Sequence, residues 1–305
     1  SGDDIFRGFV GADTVDGGDG NNSLLLTATS LTLNAASNAQ LLNVQTISAA
    51  GATASVLINL ASQTESLKII GSNYNDTLGG GSGSDIITGA IGNDTILGFV
   101  GADTVDGGGG SNTLTLTATS TNLNLASDAQ LVNVQTISAT GATRGVAINL
   151  SLQTEALNIF GSSYNDTLTG GSAGDVITGG TGNDVIYGKA GNDTLNGNGG
   201  FDIFVFDSAL GPSNIDRIAG FNVVDDLIFI SSATFKGMSI GALDPGAFVS
   251  GASAVALDAS DRIIFNTTTG SLSFDQDGAG GSAAVQFATL SGWAGTLAAK
   301  NFYVI

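Results

Sequence analysis

Aspartate recurs every nine residues beside glycine: Asp76, Asp85, Asp94 and Asp103 form one run, and Asp166, Asp175, Asp184, Asp193 and Asp202 a second. The register is clearest from Gly179, where Gly-Gly-Thr-Gly-Asn-Asp184-Val-Ile-Tyr is followed by Gly188-Lys-Ala-Gly-Asn-Asp193-Thr-Leu-Asn and Gly197-Asn-Gly-Gly-Phe-Asp202-Ile-Phe-Val. Asp4 and Asp13 are an interrupted pair of the same kind. Each position has a chemical task. Glycine permits left-handed backbone angles in a tight loop, and the carboxylate is a hard oxygen ligand of the sort calcium takes. The apolar residue two places on points inward. A unit of this form repeated in register predicts an all-β fold, a right-handed parallel β-roll or β-helix solenoid, with calcium as the cofactor between stacked loops.

Two units make one coil, so each Asp faces the loop eighteen residues on. Five pairs follow: Asp76 with Asp94, Asp85 with Asp103, Asp166 with Asp184, Asp175 with Asp193, and Asp184 with Asp202. Pairs 85–103 and 184–202 are the best formed, because their loops keep Gly83, Gly101, Gly182 and Gly200 at the fourth place. Tyr74, Tyr164 and Ala173 stand there before Asp76, Asp166 and Asp175, and a side chain resists a positive φ. The Tyr-bearing loops are expected at the edge of the calcium ladder.

Composition agrees. The chain has 27 acidic and 8 basic residues, a net charge of -19, and only Glu65 and Glu155 among the acids are not Asp. Without cations such a chain repels itself. A merely solvated acidic surface is the plain alternative, but acids scattered for solubility would not recur at ninefold spacing beside glycines. The absence of Cys and His excludes disulfides, Cys/His zinc sites and Ser-His or Cys-His catalytic pairs. No apolar run approaches a membrane span, and the acidity disfavours nucleic acid or an anionic membrane surface.

A longer repeat encloses the short one. Gly8-Phe-Val-Gly-Ala-Asp-Thr-Val-Asp-Gly-Gly18 returns as Gly98 to Gly108, and Asn43-Val-Gln-Thr-Ile-Ser-Ala49 as Asn133 to Ala139, a period of 90 residues. Residues 23–70 and 113–160 lack the glycine loops. There Leu114-Thr-Leu-Thr-Ala, Asn122-Leu-Asn-Leu, Val134-Gln-Thr-Ile-Ser, Val146-Ala-Ile-Asn-Leu and Leu157-Asn-Ile-Phe read as short strands of wider coils. Asn22 and Asn112 stand where the ligand Asp would be, and an amide either offers one oxygen or ends the ladder. Asn43, Gln45, Asn133 and Gln135 are read as side chains that line or turn the coils. Thr77, Thr95, Thr104, Thr167 and Thr194 follow their Asp and form outward rows suited to ice or a flat lattice partner, although threonine is also a good strand residue.

The expected divisions are 1–22 nonapeptides, 23–70 wide coils, 71–112 calcium roll, 113–160 wide coils, 161–205 calcium roll, and 206–305 a C-terminal β-rich cap. The last segment carries most of the phenylalanines, with strands at Asp225-Asp-Leu-Ile-Phe-Ile, Asp261-Arg-Ile-Ile-Phe-Asn and Gly270-Ser-Leu-Ser-Phe-Asp. The glycine units, then Phe201-Asp-Ile-Phe-Val-Phe, Asp261-Arg-Ile-Ile-Phe-Asn-Thr-Thr-Thr-Gly-Ser-Leu and Val285-Gln-Phe-Ala-Thr-Leu, resemble the C-terminal part of an RTX protein exported by type I secretion. The resemblance implies an uncleaved export signal at the extreme C-terminus, here Asn301-Phe-Tyr-Val-Ile305, with Asn301 where the family often has Asp. The wide sections, with phrases such as Leu131-Val-Asn-Val-Gln-Thr-Ile, resemble those of RTX-type bacterial surface-layer proteins.

From the resemblance and the charge follows an extracellular, secreted protein, at the cell surface as part of a surface layer, that stays unfolded where calcium is scarce and folds where it is plentiful. The expected partners are further copies of itself, the type I secretion machinery, and a cell-surface glycan as a further candidate, with no nucleic acid and no membrane insertion. No catalytic role is expected. The competing reading is the calcium-dependent folding and secretion tail of an exoenzyme, a protease or lipase, whose catalytic domain lies upstream. The chain opens inside a nonapeptide, which suggests preceding coils and an upstream partner for Asp4.

Overall fold

A computed structural model describes residues 1–305. It divides into two compact units, Ser1–Gly141 and Ala142–Ile305. The division falls inside the second wide section.

Asp-x-apolar-x gives strands of only three residues, because glycine loops interrupt the chain on either side. In unit 1 one parallel sheet runs through Ile5–Arg7, Ser23–Leu25, Thr46–Ser48, Lys68–Ile70, Ile86–Thr88, Thr104–Asp106 and Leu131–Val132. A second joins Leu57–Asn59, Thr77–Gly79, Thr95–Leu97, Thr113–Thr115 and Thr136–Ser138. Each strand turns its central residue inward, so Leu24, Ile47, Ile69, Ile87 and Val105 stack in one column and Ile58, Leu78, Ile96, Leu114 and Ile137 in another. All ten are 0–1% exposed. Each buried aliphatic contributes roughly 1.5–3 kcal/mol, and the columns are the core of the solenoid.

The pairing register measures the coils. In the glycine segments Thr77 pairs with Thr95 and Ile86 with Thr104, eighteen residues on. In the wide sections Ser23 pairs with Thr46, Val105 with Leu131 and Thr113 with Thr136, so the coil lengthens by five to eight residues. The extra length goes into helical turns. Leu31–Asn34 is a single α-turn capped by the Ser30 hydroxyl, which accepts the Leu33 N–H. The strand expected at Asn122–Leu125 is instead a 3-10 turn, Leu123–Leu125. Ser120 Oγ accepts the Leu123 N–H there, and a capped turn lets Leu123 reach the core while its neighbours stay polar.

The threonines separate. Thr77, Thr95, Thr113 and Thr136 form one row in register, whereas Thr104 lies in the other sheet.

Unit 2 continues the pattern. One parallel series is Ala147–Asn149, Thr167–Thr169, Val185–Tyr187, Ile203–Phe206, Leu227–Ile230 and Phe302–Val304. The other is Asn158–Phe160, Val176–Thr181, Thr194–Gly199, Asp216–Ala219 and Val285–Ser291. Ser271–Phe274 and Ile263–Asn266 then add antiparallel. The C-terminal segment therefore extends the coils before it closes them, and the expected boundary at 206 falls within the strand Ile203–Phe206. Its core is aromatic: Phe235 meets Phe274 and Phe287 edge-on, both with centroids 5.1 Å apart. The chain end is part of the fold, since Phe302 and Val304 are buried in the sheet. Asn301 is buried too, and its Nδ2 donates to the Val223 carbonyl at 2.9 Å, a bond that an Asp at this place could not make.

Candidate metal centre

The aspartates are joined by a chain of hydrogen bonds between coils. In five rungs Oδ1 accepts the main-chain N–H of the Asp one coil earlier: Asp76 donates to Asp94 at 2.7 Å, Asp85 to Asp103 at 2.8 Å, Asp166 to Asp184 at 2.8 Å, Asp175 to Asp193 at 2.7 Å and Asp184 to Asp202 at 2.9 Å. At the start of each run Oδ1 of Asp76, Asp85, Asp166 and Asp175 accepts instead from the N–H of Val56, Leu67, Val146 and Leu157. All nine side chains of the two runs are buried. The five pairs read from the spacing are thus adjacent, but each pair is held by an amide and a carboxylate rather than by two facing carboxylates.

The second oxygen sorts the sites. In the Tyr-bearing loops, Ser72 N–H donates to Asp76 Oδ2 at 2.5 Å and Ser72 Oγ donates to both carboxylate oxygens; Ser162 does the same for Asp166. Gly81 and Gly171 N–H groups close on Oδ2 of Asp85 and Asp175. Val100 N–H closes on Asp103, and Val10 N–H on Asp13. Asp4 and Asp13 themselves are exposed. In contrast, Oδ2 of Asp94, Asp184, Asp193 and Asp202 is buried and has no hydrogen-bond partner. A buried carboxylate oxygen in that state is strongly disfavoured unless a proton or a cation meets it.

The glycines make room at the same point. A Cβ on Gly179 would lie 2.2 Å from Asp184 Oδ2 and 3.0 Å from the Gly197 carbonyl oxygen of the next coil; one on Gly89 would lie 2.3 Å from Asp94 Oδ2 and 2.5 Å from the Gly107 oxygen. Carboxylate and carbonyl oxygens therefore converge where a side chain is missing. The fourth-place glycines differ in torsion: Gly92, Gly182, Gly191 and Gly200 have φ between +124° and +150°, whereas Gly101 is at +80° and Gly83 has no positive φ.

The family description "RTX calcium-binding nonapeptide repeat (4 copies)" matches residues 1–24, 68–96, 79–114, 158–177 and 169–204. The chain carries RTX calcium-binding nonapeptide repeats over these residues. Its repeats bind calcium. No curated protein matches the chain. RTX-repeat proteins are generally secreted, and no helix here is long and apolar enough to cross a membrane.

The donor set fits calcium. It consists of hard oxygens, with partnerless carboxylate atoms inside the RTX loops. No three acidic side chains gather at one point, so main-chain carbonyls must complete any shell. Electrostatics leads to the same conclusion. Burial, with the charges of Asp202 and Asp166, pushes Asp184 up to about 7. Burial, with Asp216 and Asp175, pushes Asp193 up to about 8, and burial also raises Asp94 and Asp202. Asp103 is raised to about 6 by the same desolvation.

Asn22 and Asn112 show how a rung without a carboxylate is built. Each keeps the ladder bond, accepting the N–H of Asp4 and Asp94 at 2.9 Å, while its Nδ2 donates to the carbonyls of Asn43 (2.8 Å) and Asn133 (2.9 Å). The amide N–H thus occupies the place of a cation, which ends the RTX ladder there. Gln45 and Gln135 then supply Oε1 to the N–H of Asn22 and Asn112 at 2.7 Å, continuing the hydrogen-bond chain into the wide coils.

Two rungs escape the nonapeptide pattern. Asp216 Oδ1 accepts the Asp193 N–H at 3.0 Å, and Asp226 Oδ1 accepts that of Asp202 at 3.1 Å. Both are buried, and burial raises them to about 7 and about 6. They lie 23 and 24 residues on, behind loops that are not nonapeptides: Gly211 keeps only the first glycine place before Asp216, with Pro212 and Asn214 in the others, and Phe221, Asn222 and Val224 fill those places before Asp226. Only the second half of the unit survives, as Asp216-Arg-Ile and Asp226-Leu-Ile.

Proposed function

We propose that this chain is a non-enzymatic structural segment of a secreted protein, open where calcium is scarce, folded outside the cell on calcium at Asp94, Asp184, Asp193 and Asp202, and self-associating into a surface layer or similar array. The calcium step is supported by the four orphaned, buried Oδ2 atoms. Extracellular calcium modules bind at about 10⁻⁴–10⁻³ M, so external calcium fills such sites and cytoplasmic calcium does not. Bound calcium supplies the positive charge that these oxygens lack, and its binding energy becomes folding energy.

The array reading rests chiefly on the 90-residue duplication: glycine loops, Asn rung and wide coils recur as a block, which is more coil than a folding tail needs. The row Thr77–Thr95–Thr113–Thr136 adds a regular strip of hydroxyls to one sheet. Light scattering in millimolar calcium and in chelator, with circular dichroism on the same samples, tests the reading. Calcium-dependent β-structure with growth into large ordered assemblies supports it. Calcium-dependent folding to a persistent monomer would instead point to the tail of an exoenzyme.

A further inference from the structure

We propose that Asp193 and Asp216 together hold one calcium ion, which ties the loop Gly188–Asn192 to the C-terminal segment that follows the nonapeptides. The inference rests on the calcium reading and extends it to a residue outside the repeat.

Three observations carry it. Asp193 is 1% exposed and its Oδ2 has no hydrogen-bond partner. A Cβ on Gly188 would lie 2.4 Å from that atom and 3.0 Å from Asp216 Oδ2, so two carboxylate oxygens reach over one glycine. At Gly89, Gly170 and Gly179 the oxygen arriving from the next coil is a main-chain carbonyl. Gly188 therefore carries two formal charges where those loops carry one charge and one dipole.

Nothing basic neutralises the pair. Lys189, in the same loop, is engaged by Asp207 at 2.6 Å, and the exposed Arg217 forms no ion pair. Asp216 is fixed for the task, since its Oδ1 already receives the Asp193 N–H and leaves Oδ2 free to turn toward Gly188. Calcium affinity is tuned by ligand charge count, so this site should fill first as calcium rises.

The test is calcium titration of the whole chain against a competing chromophoric chelator, with bound ions counted by native mass spectrometry. Trp293, the only tryptophan, packs on Phe265 at 5.5 Å and reports on the C-terminal segment. Asp216→Asn keeps the ladder acceptor, and Asp19→Asn, an exposed residue, controls for net charge. The expected result is loss of one ion and at least a tenfold weakening of the tightest binding in D216N, with the D19N variant unchanged. D193N should lose the same ion, and the D193N/D216N double variant no more than either single. Trp293 emission in D216N should reach its folded value only at higher calcium. Wild-type protein that takes up no calcium would remove the parent reading. Wild-type binding with the tightest site unchanged in both single variants would overturn this inference alone.

Discussion

Replacing Asp184 by Asn should strengthen the metal-free fold and remove a calcium site at the same time. The carboxylate is fully buried, its Oδ2 has no partner, and it titrates near 7 instead of near 4. Three pKa units at about 1.4 kcal/mol each put the penalty of ionising it at roughly 4 kcal/mol. Because the folded-state pKa is the higher one, the native chain binds the extra proton. Metal-free stability is therefore intact below about pH 4 and lost as pH rises through about 7. Asn has no charge to lose. Its Oδ1 can keep the Asp166 N–H, and its Nδ2 can donate to the Gly197 carbonyl, as Asn112 donates to Asn133. In chelator, circular dichroism from pH 4 to pH 9 should show wild-type β-structure fading as pH rises, with D184N holding its fold to higher pH. In millimolar calcium the order should reverse, and D184N should gain less. A D184N protein that is weaker than wild type in chelator at pH 8, or equally stabilised by calcium, would refute the reasoning.

The converse substitution, N112D, puts a carboxylate where an amide N–H meets the Asn133 carbonyl; the protein should need more calcium to reach its folded β-signal and should bind one additional calcium once folded, read by calcium titration and ion counting. Gly200 has φ +138° and a Cβ there would lie 1.7 Å from the Gly182 oxygen, so G200A should cost at least ~2 kcal/mol and weaken calcium binding. G199A meets nothing within 4 Å and should be neutral in the same melts. S72A removes a hydroxyl that bonds both oxygens of Asp76 and should cost about 1–2 kcal/mol in denaturant titrations of the calcium-loaded protein, leaving the ion count unchanged.

The columns of buried aliphatics and the Asp ladder were legible because both depend on spacing alone: Ile87, Ile96 and Val105 each follow an Asp by two places. What spacing cannot convey is where a carboxylate's second oxygen goes. Asp85 and Asp184 sit in glycine-rich loops that read alike, yet Gly81 N–H closes on the one and nothing closes on the other. That difference goes with loop torsion: Gly182 has φ +127° and Gly83 has no positive φ, while Gly101, at +80°, still lets the Val100 N–H close on Asp103. Asp216 and Asp226 were hidden because a tertiary neighbour, not a preceding glycine loop, puts them on the ladder. The turn at Leu123–Leu125 was read as a strand because alternating Asn and Leu satisfies a period of two, and the Ser120 cap outweighs that pattern.

If calcium meets the orphaned oxygens and thereby folds the chain, the β-signal must rise and fall with bound calcium. The most direct measurement follows the β-signal by circular dichroism at pH 7.5 while free calcium is raised from nanomolar to millimolar, with bound ions counted at each step. Folding that appears cooperatively with ion uptake, and that is lost again on chelation, is the predicted result. A chain equally folded and equally heat-resistant in chelator, with no ions bound at millimolar calcium, would contradict the account.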